Sequence, residues 1–238
     1  MKLNLALTVR RSLPHLAALL VLFGCVRLAL WQIERADEKQ RMLDQWDTAA
    51  AAELIDPDEL DLFAPVTGRG RFDPERHVLL DNQIRNNHPG VHVFTPFQPE
   101  GSRQLIMVNR GWHPWDRRST DRLQIDTPSK TVTIDGRISD PPRVGLQLGE
   151  AGPLDSSQWP NLTTYYDTDR IREALGSQTA DRVVLLDPDH PAHLTGDDWQ
   201  MMNMGPERHV GYAFQWASIG LAVFLIWIIL TFRSLRRR

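Results

Sequence analysis

The sequence predicts an α+β membrane protein: two transmembrane helices flanking a mostly antiparallel extracytoplasmic β domain of barrel or sandwich type. Three observations carry this. Two apolar runs, residues 13–31 and 210–232, lie near the ends of the 238-residue chain, each close to the ~20 residues that cross a bilayer as a helix. On their terminal sides the flanking charges are all basic. Between the runs stand short β-branched or alternating segments separated by Gly, Pro, Asn and Asp.

In chain order, Lys2, Arg10 and Arg11 precede the first run. Pro14, His15 and Arg27 interrupt it, and Arg27 falls near its end, where a long side chain snorkels to the headgroups. A basic start and an apolar core also describe a signal peptide, but no A-x-A-like cleavage site comes after them. The next segment is WQIERADEKQRMLDQW, a charged helical stretch in which Ile33, Met42, Leu43 and Trp46 form a partial apolar stripe. The expectation is an uncleaved anchor whose helix continues beyond the membrane to about Ala52. Cys25, the single cysteine, lies in this first run. The domain between the runs therefore has no disulfide, no Cys-based zinc site and no C-x-x-C redox or copper motif.

DPDELDLFAP, residues 56–65, reads as a turn and linker. Strands are predicted over 66–72, 77–82, 90–98, 104–112, 131–138 and 182–187. A short helix is predicted over 167–176, capped by Asp167 or Thr168 and ended by Gly176. Residues 32–209 hold all 30 acids and 19 of the 27 basic residues, a formal charge of −11. That balance excludes a nucleic-acid partner, because phosphate contacts need clustered Lys and Arg.

Arg233, Arg236, Arg237 and Arg238 come after the second run. Basic flanks stay on the cytoplasmic side. Residues 1–12 and 233–238 are then cytoplasmic tails and 32–209 an extracytoplasmic domain. A mitochondrial transit peptide would be longer and rich in Ser and Arg. The expected location is the bacterial inner membrane, with the central domain periplasmic.

Candidate chemistry is sparse. Gly68 and Gly70 in GRGRF lack the third glycine and the helix of a dinucleotide fingerprint. No G-x-S-x-G, S-x-x-K, H-E-x-x-H or P-loop pattern exists, and no carboxylate pair has a catalytic spacing, so the chain reads as a non-enzyme. His88 and His92 could share a metal on a helix, but Pro89 and Gly90 between them forbid one. His190 and His193 read as loop histidines. The methionines Met201, Met202 and Met204, near His209, offer thioethers to Cu(I), but with no cysteine at hand they read as packing. VNRGWHP, with Trp112 and Trp115 around Pro114, fits either a membrane interface or a core-closing turn.

RHVGYAFQW, 208–216, opens the second run. On a helix, His209, Tyr212, Ala213, Trp216, Gly220, Phe224 and Trp227 share one face. Ala213 and Gly220 let something flat, or another helix, approach closely. Two readings stay open. His209 is a metal ligand, able to hold haem iron with Tyr212 and Trp216 lining the bound group; or the cluster is an aromatic belt at the interface.

Taken in order, LALWQIERADEK (28–39), DNQ with GVHVFTPF, VNRGWHP and RHVGYAFQW resemble the surfeit-locus assembly factors for haem–copper cytochrome oxidase. Trp31, Gln32, Arg35 and Lys39 match the first signature, and Asn82, Gly90, Thr95 and Pro96 the middle one. Val108 to Trp112 with Pro114 match the third, and His209, Tyr212, Ala213, Gln215 and Trp216 the last. Ala29 departs from the family's usual glycine, and residues 140–160 match too loosely to use. The resemblance implies a role in cytochrome c oxidase biogenesis, handling haem a for insertion into the catalytic subunit. The implied partners are that subunit, other oxidase assembly factors and membrane lipid. His209 is the counterpart of the histidine implicated in haem binding, and Arg27 or Arg35 could pair with propionates. The competing expectation is a scaffold that docks oxidase subunits without a cofactor, its Ala213 and Gly220 forming a helix–helix contact. Copper delivery is disfavoured by the absence of cysteine from the outer domain.

Overall fold

The computed structural model describes residues 2–115, 123–143, 154–195, 199 and 204–236, and of residues 2–12 only the backbone. The chain forms two compact units, residues 1–44 with 200–238, and residues 45–199.

The first unit is helical. Helix α1 spans Lys2–Thr48, running through the apolar stretch and on through the charged one. Helix α3 spans Pro206–Arg236, with the proline in its first turn, where a missing N–H costs nothing. On α1 the buried and half-buried positions include Ala18, Leu22, Cys25, Ala29, Gln32, Ala36 and Lys39. On α3 they include His209, Ala213, Trp216, Gly220, Val223 and Trp227. Both series alternate steps of four and three, the 3.5-residue seam of paired helices. Elsewhere the helices expose apolar side chains such as Phe23, Phe214 and Leu225. In their most apolar stretches only 6% and 11% of residues are buried, the reverse of a soluble core helix. Both are long and apolar enough to cross a membrane.

The second unit is one mixed sheet with a short helix. Its strands are β1 (Ala52–Glu53), β2 (Pro65–Phe72), β3 (Val78–Arg85), β4 (His88–Pro99), β5 (Leu105–Pro114), β6 (Val132–Ser139), β7 (Asn161–Thr163) and β8 (Thr179–Leu186). They lie in the order β1-β2-β6-β8-β5-β4-β3-β7, and β2 also pairs with β4. The pairings β2–β4, β2–β6, β3–β4, β4–β5 and β6–β8 are antiparallel. The pairings β1–β2, β3–β7 and β5–β8 are parallel. Every strand expected from the sequence is present, most of them longer than expected. β3 and β4 extend to a tight hairpin at Asn86 and Asn87, both at positive φ, a conformation asparagine tolerates.

Strand β5 is central, with Ile106 to Gly111 all buried. Ile106 and Val108 join Phe72, Phe97, Ile134 and Leu186 in one core. Met107 joins Val78, Phe94 and the Ile171 and Leu175 face of α2 (Thr168–Leu175) in another. Between the two caps expected for α2, the structure selects Asp167, whose carboxylate accepts from the backbone N–H groups of Asp169 and Arg170. Gly176 closes the helix in the left-handed conformation.

Two polar side chains are built into this interior. Arg110, 1% exposed, lies over the Phe72 ring and donates to Ala192 O, Thr127 Oγ1 and Asp126 O at 2.9, 2.6 and 2.6 Å. It ties two loops to β5, and burial holds its pKa down to about 10. His77, 3% exposed, has its Nε2 3.1 Å from Pro74 O and its Nδ1 3.0 Å from Thr95 Oγ1. A carbonyl only accepts, so Nε2 carries the proton and Nδ1 takes the threonine hydroxyl. Burial, and then the charge of Arg110, hold the His77 pKa down to about 4.

A histidine that titrates near 6.5 unfolded and about 4 folded stabilises fully above 6.5 and loses that contribution as pH falls toward 4. We expect His77 to contribute a loss on the order of 2 kcal/mol between pH 7 and 4.5 to unfolding of the full chain in detergent, followed by tryptophan fluorescence, with other histidines lowered by burial, such as His92, adding to it. His77→Gln should make that slope shallower by the His77 share. An unchanged slope in the variant would overturn the assignment.

Candidate functional site

Within the helical unit, α1 and α3 are joined at both ends of their apolar stretch. At one end His209 Nδ1 lies 2.7 Å from Gln32 Oε1, and the two side chains are only 8% and 9% exposed. The amide oxygen only accepts, so Nδ1–H is the donor. At the other end Trp227 Nε1–H donates to His15 Nδ1 at 2.8 Å. At a rise of 1.5 Å per residue the two bonds are about 26 Å apart along α1 and about 27 Å along α3. That is close to the ~30 Å hydrocarbon thickness of a bilayer. Between them a Cβ added to Gly220 would stand 3.2 Å from Cys25 Cβ, so the helix backbones nearly touch.

This seam gathers His209, Ala213, Trp216, Gly220 and Trp227 from the face expected on α3, and leaves Tyr212 44% exposed and Phe224 exposed outside it. The Ala213–Gly220 strip is not an open groove. Cys25 of α1 stands against Gly220, so a flat group cannot lie along the strip. The sequence reading missed a role for Gln32, which matched a signature without one, and for His15. Both are polar side chains within or beside an apolar run, which is the signal that could have found them.

The two arginines considered as propionate partners differ. Arg27 is exposed and two residues from Cys25, hence on the side of α1 away from the seam. Arg35 is half-buried, one turn from Gln32, and paired with Glu38.

In the sheet unit, His88 and His92 are four residues apart on strand β4, about 13 Å, too far to share an ion. His190 is engaged at both nitrogens, with Thr133 O and with the Ala192 backbone N–H. His92 and His193 both stack edge-on against Trp199, and burial lowers the pKa of each, His92 to about 4. Among the described residues no three His, Cys, Asp or Glu side chains cluster as a metal site. Met201 and Met202 lie outside the described residues. The VNRGWHP stretch is strand rather than turn. Trp112 lies opposite His92, its ring covers Gly90 so closely that a Cβ there would clash, and its Nε1–H donates to Gln83 O at 2.8 Å. A cavity of about 450 Å³ is lined by Trp46, Thr67, Asp135, Arg137, Asp187 and Trp199. The cation in its lining is already engaged: Arg137 stacks on Trp46 at 4.4 Å and donates to the Trp46 and Phe63 carbonyls.

Comparison with known proteins gives one consistent family. The SURF1 family model matches residues 19–221. A SURF1-like protein of Caenorhabditis elegans is 26% identical over 173 residues, covering 68% of this chain and 50% of that protein. Surfeit locus protein 1 of Mus musculus is 24% identical over 222 residues, covering 84% of this chain and 70% of its own length. That of Xenopus tropicalis is 23% identical over 235 residues, covering 88% and 73%. The chain thus spans half the length of the nematode relative.

The closeness of Gly220 to Cys25 is directly testable. Cβ atoms bridged by a disulfide stand about 3.5–4.5 Å apart. The 3.2 Å between the two positions reaches that range with a shift of a few tenths of an ångström, so Gly220→Cys should cross-link to Cys25 within one chain under mild oxidant, and protect both thiols from alkylation. Two thiols that remain alkylatable, or cross-links only between chains, would contradict the seam.

Proposed function

The chain belongs to the SURF1 family, known for cytochrome oxidase assembly, and on that premise we propose that it holds haem a at His209 for insertion into the oxidase catalytic subunit. In this reading α1 and α3 span the bacterial inner membrane, both termini are cytoplasmic, and the sheet unit is periplasmic, as the basic flanks require. The partners are the catalytic subunit, other oxidase assembly factors and surrounding lipid. No catalytic step is assigned to the chain.

The observation that carries the reading is the condition of His209. It is a buried imidazole in the first turn of α3, just before the apolar run, with Nδ1 engaged and no hydrogen bond at Nε2 among the described residues. A single nitrogen donor suits iron, and a single axial ligand suits a carrier that must release its cargo. The filled Ala213–Gly220 strip requires the macrocycle to approach from the open side of α3, where Tyr212 is exposed and Trp216 is half-buried. Bound haem supplies its redox chemistry to the oxidase; the residues here bind and orient it. Arg35, on the His209 side of α1, is better placed than Arg27 to meet a propionate.

The same filled strip favours a second reading, a scaffold. Its small residues are consumed by the α1–α3 contact, and the exposed apolar faces around Phe214 and Leu225 are left for helices of other subunits.

Absorbance titration of the detergent-solubilised full chain with haem a separates the two. The carrier reading expects one equivalent bound, at least tenfold weaker binding in His209→Ala, and a smaller loss in Tyr212→Phe. Full occupancy and an unchanged spectrum in His209→Ala would remove His209 as the ligand; no haem bound by the unaltered chain, with the oxidase subunit still co-purifying, would leave the scaffold.

A further inference from the structure

We propose that Gln32 is a positioning residue for His209: by accepting the Nδ1 proton across the α1–α3 seam, it fixes the tautomer whose Nε2 lone pair is available to iron. The inference rests on the haem reading of His209 given above.

A neutral imidazole carries one N–H and can place it on either nitrogen; the hydrogen bond made by one nitrogen decides which state the other presents. Here the bond is 2.7 Å, at the short end for N–H···O, and both partners are buried, so water does not compete well for either. The acceptor comes from the other helix, which fixes the ring's direction as well as its proton. An amide is also an unusual choice at this place. Its seam neighbours on α1 are Cys25, Ala29 and Ala36, all small. A glutamine buried among them costs desolvation unless its partner repays it, and His209 is the side-chain partner that the structure provides.

A purely structural role, holding the two helices in register, makes a different prediction. The two are separated by three variants of the full chain in detergent micelles: Gln32→Met keeps the shape and replaces the amide oxygen with a weakly accepting thioether, Gln32→Glu keeps a strong acceptor and adds charge, and His209→Ala removes the ligand. Each is titrated with haemin and read by Soret absorbance and midpoint potential. Each Gln32 change is also made in the Gly220→Cys background, where the Cys25 cross-link reports whether the helices still pair.

Gln32→Met should bind haemin at least tenfold more weakly with an undiminished cross-link. Gln32→Glu should bind as tightly as the unaltered chain and at a more negative potential, because a carboxylate acceptor makes the imidazole a stronger donor to iron. Unaltered affinity and potential in Gln32→Met, alongside loss of haemin in His209→Ala, would overturn the positioning role and leave the ligand standing. Loss of the cross-link together with haemin in Gln32→Met would make Gln32 a packing residue and would overturn it too, as would weak binding by Gln32→Glu. Tight binding by His209→Ala would instead remove the haem reading itself.

Discussion

Two apolar helices in lipid gain nothing hydrophobic by touching, since lipid tails are as apolar as leucine. Whatever holds α1 to α3 must come from close contact and from hydrogen bonds made where the helices meet. The seam supplies both. Gly220 against Cys25 brings the backbones together, and the pairs Gln32–His209 and His15–Trp227 close the two ends. Bonds of this kind are worth about 0.6–2 kcal/mol each in a membrane protein. Their separation is close to the hydrocarbon thickness, so helices that span a bilayer as proposed would carry them near its two boundaries, where a polar side chain is tolerated most cheaply. A histidine at such a position serves the helix pair with one ring nitrogen, and the other makes no hydrogen bond among the described residues.

The sheet unit solves a different problem with a similar device. Its central strand carries a guanidinium and its neighbourhood an imidazole, both almost fully buried and, among the described residues, neither bonded to a carboxylate. A buried charge survives only if its hydrogen-bonding capacity is met. Arg110 meets it with two carbonyls and a hydroxyl drawn from loops distant in sequence, so the cost of burial is converted into loop attachment. His77 avoids the cost by staying neutral. The family-like residues of this unit fall into the same pattern. Gly90 lies opposite Pro114 and beneath the Trp112 ring, and Thr95 lies opposite Val108. These stretches meet each other within the sheet, while Gln32 and His209 from the outer signatures meet within the helix pair.

Much of this was legible in the sequence, for identifiable reasons. The apolar runs, the charged extension of α1 and the capped helix α2 announce themselves by length, periodicity and end residues. The six predicted strands carry β-branched runs with turn residues at their ends. β1 and β7 are only two and three residues long, too short for any periodicity, and exist because a neighbouring strand offers an edge. The parallel pairing of β5 with β8 joins strands far apart in the chain, which no local pattern encodes. At the site, a helical wheel places Tyr212 and His209 together because it groups residues over a wide arc. A partner helix covers only a narrow seam, and Tyr212 falls outside it. The wheel also cannot say what fills the space beside Ala213 and Gly220, since the answer is a helix almost two hundred residues earlier.

The small residues on the seam explain why the polar pair can form at all. Glutamine and histidine side chains are short, and they reach 2.7 Å only if the backbones carrying them are close. Ala29 and Ala36 lie about one turn on either side of Gln32 along α1, and Ala213 lies one turn beyond His209 along α3. A leucine at any of these positions would hold the helices apart and leave both polar groups buried without a partner. Ala29 is then a position that has to be small. If His209 acts as a ligand through Nε2, as proposed, that chemistry depends on alanines that lie on the seam between the helices. They set the helix spacing, the spacing permits the hydrogen bond, and the hydrogen bond decides which nitrogen of the ring is left to act.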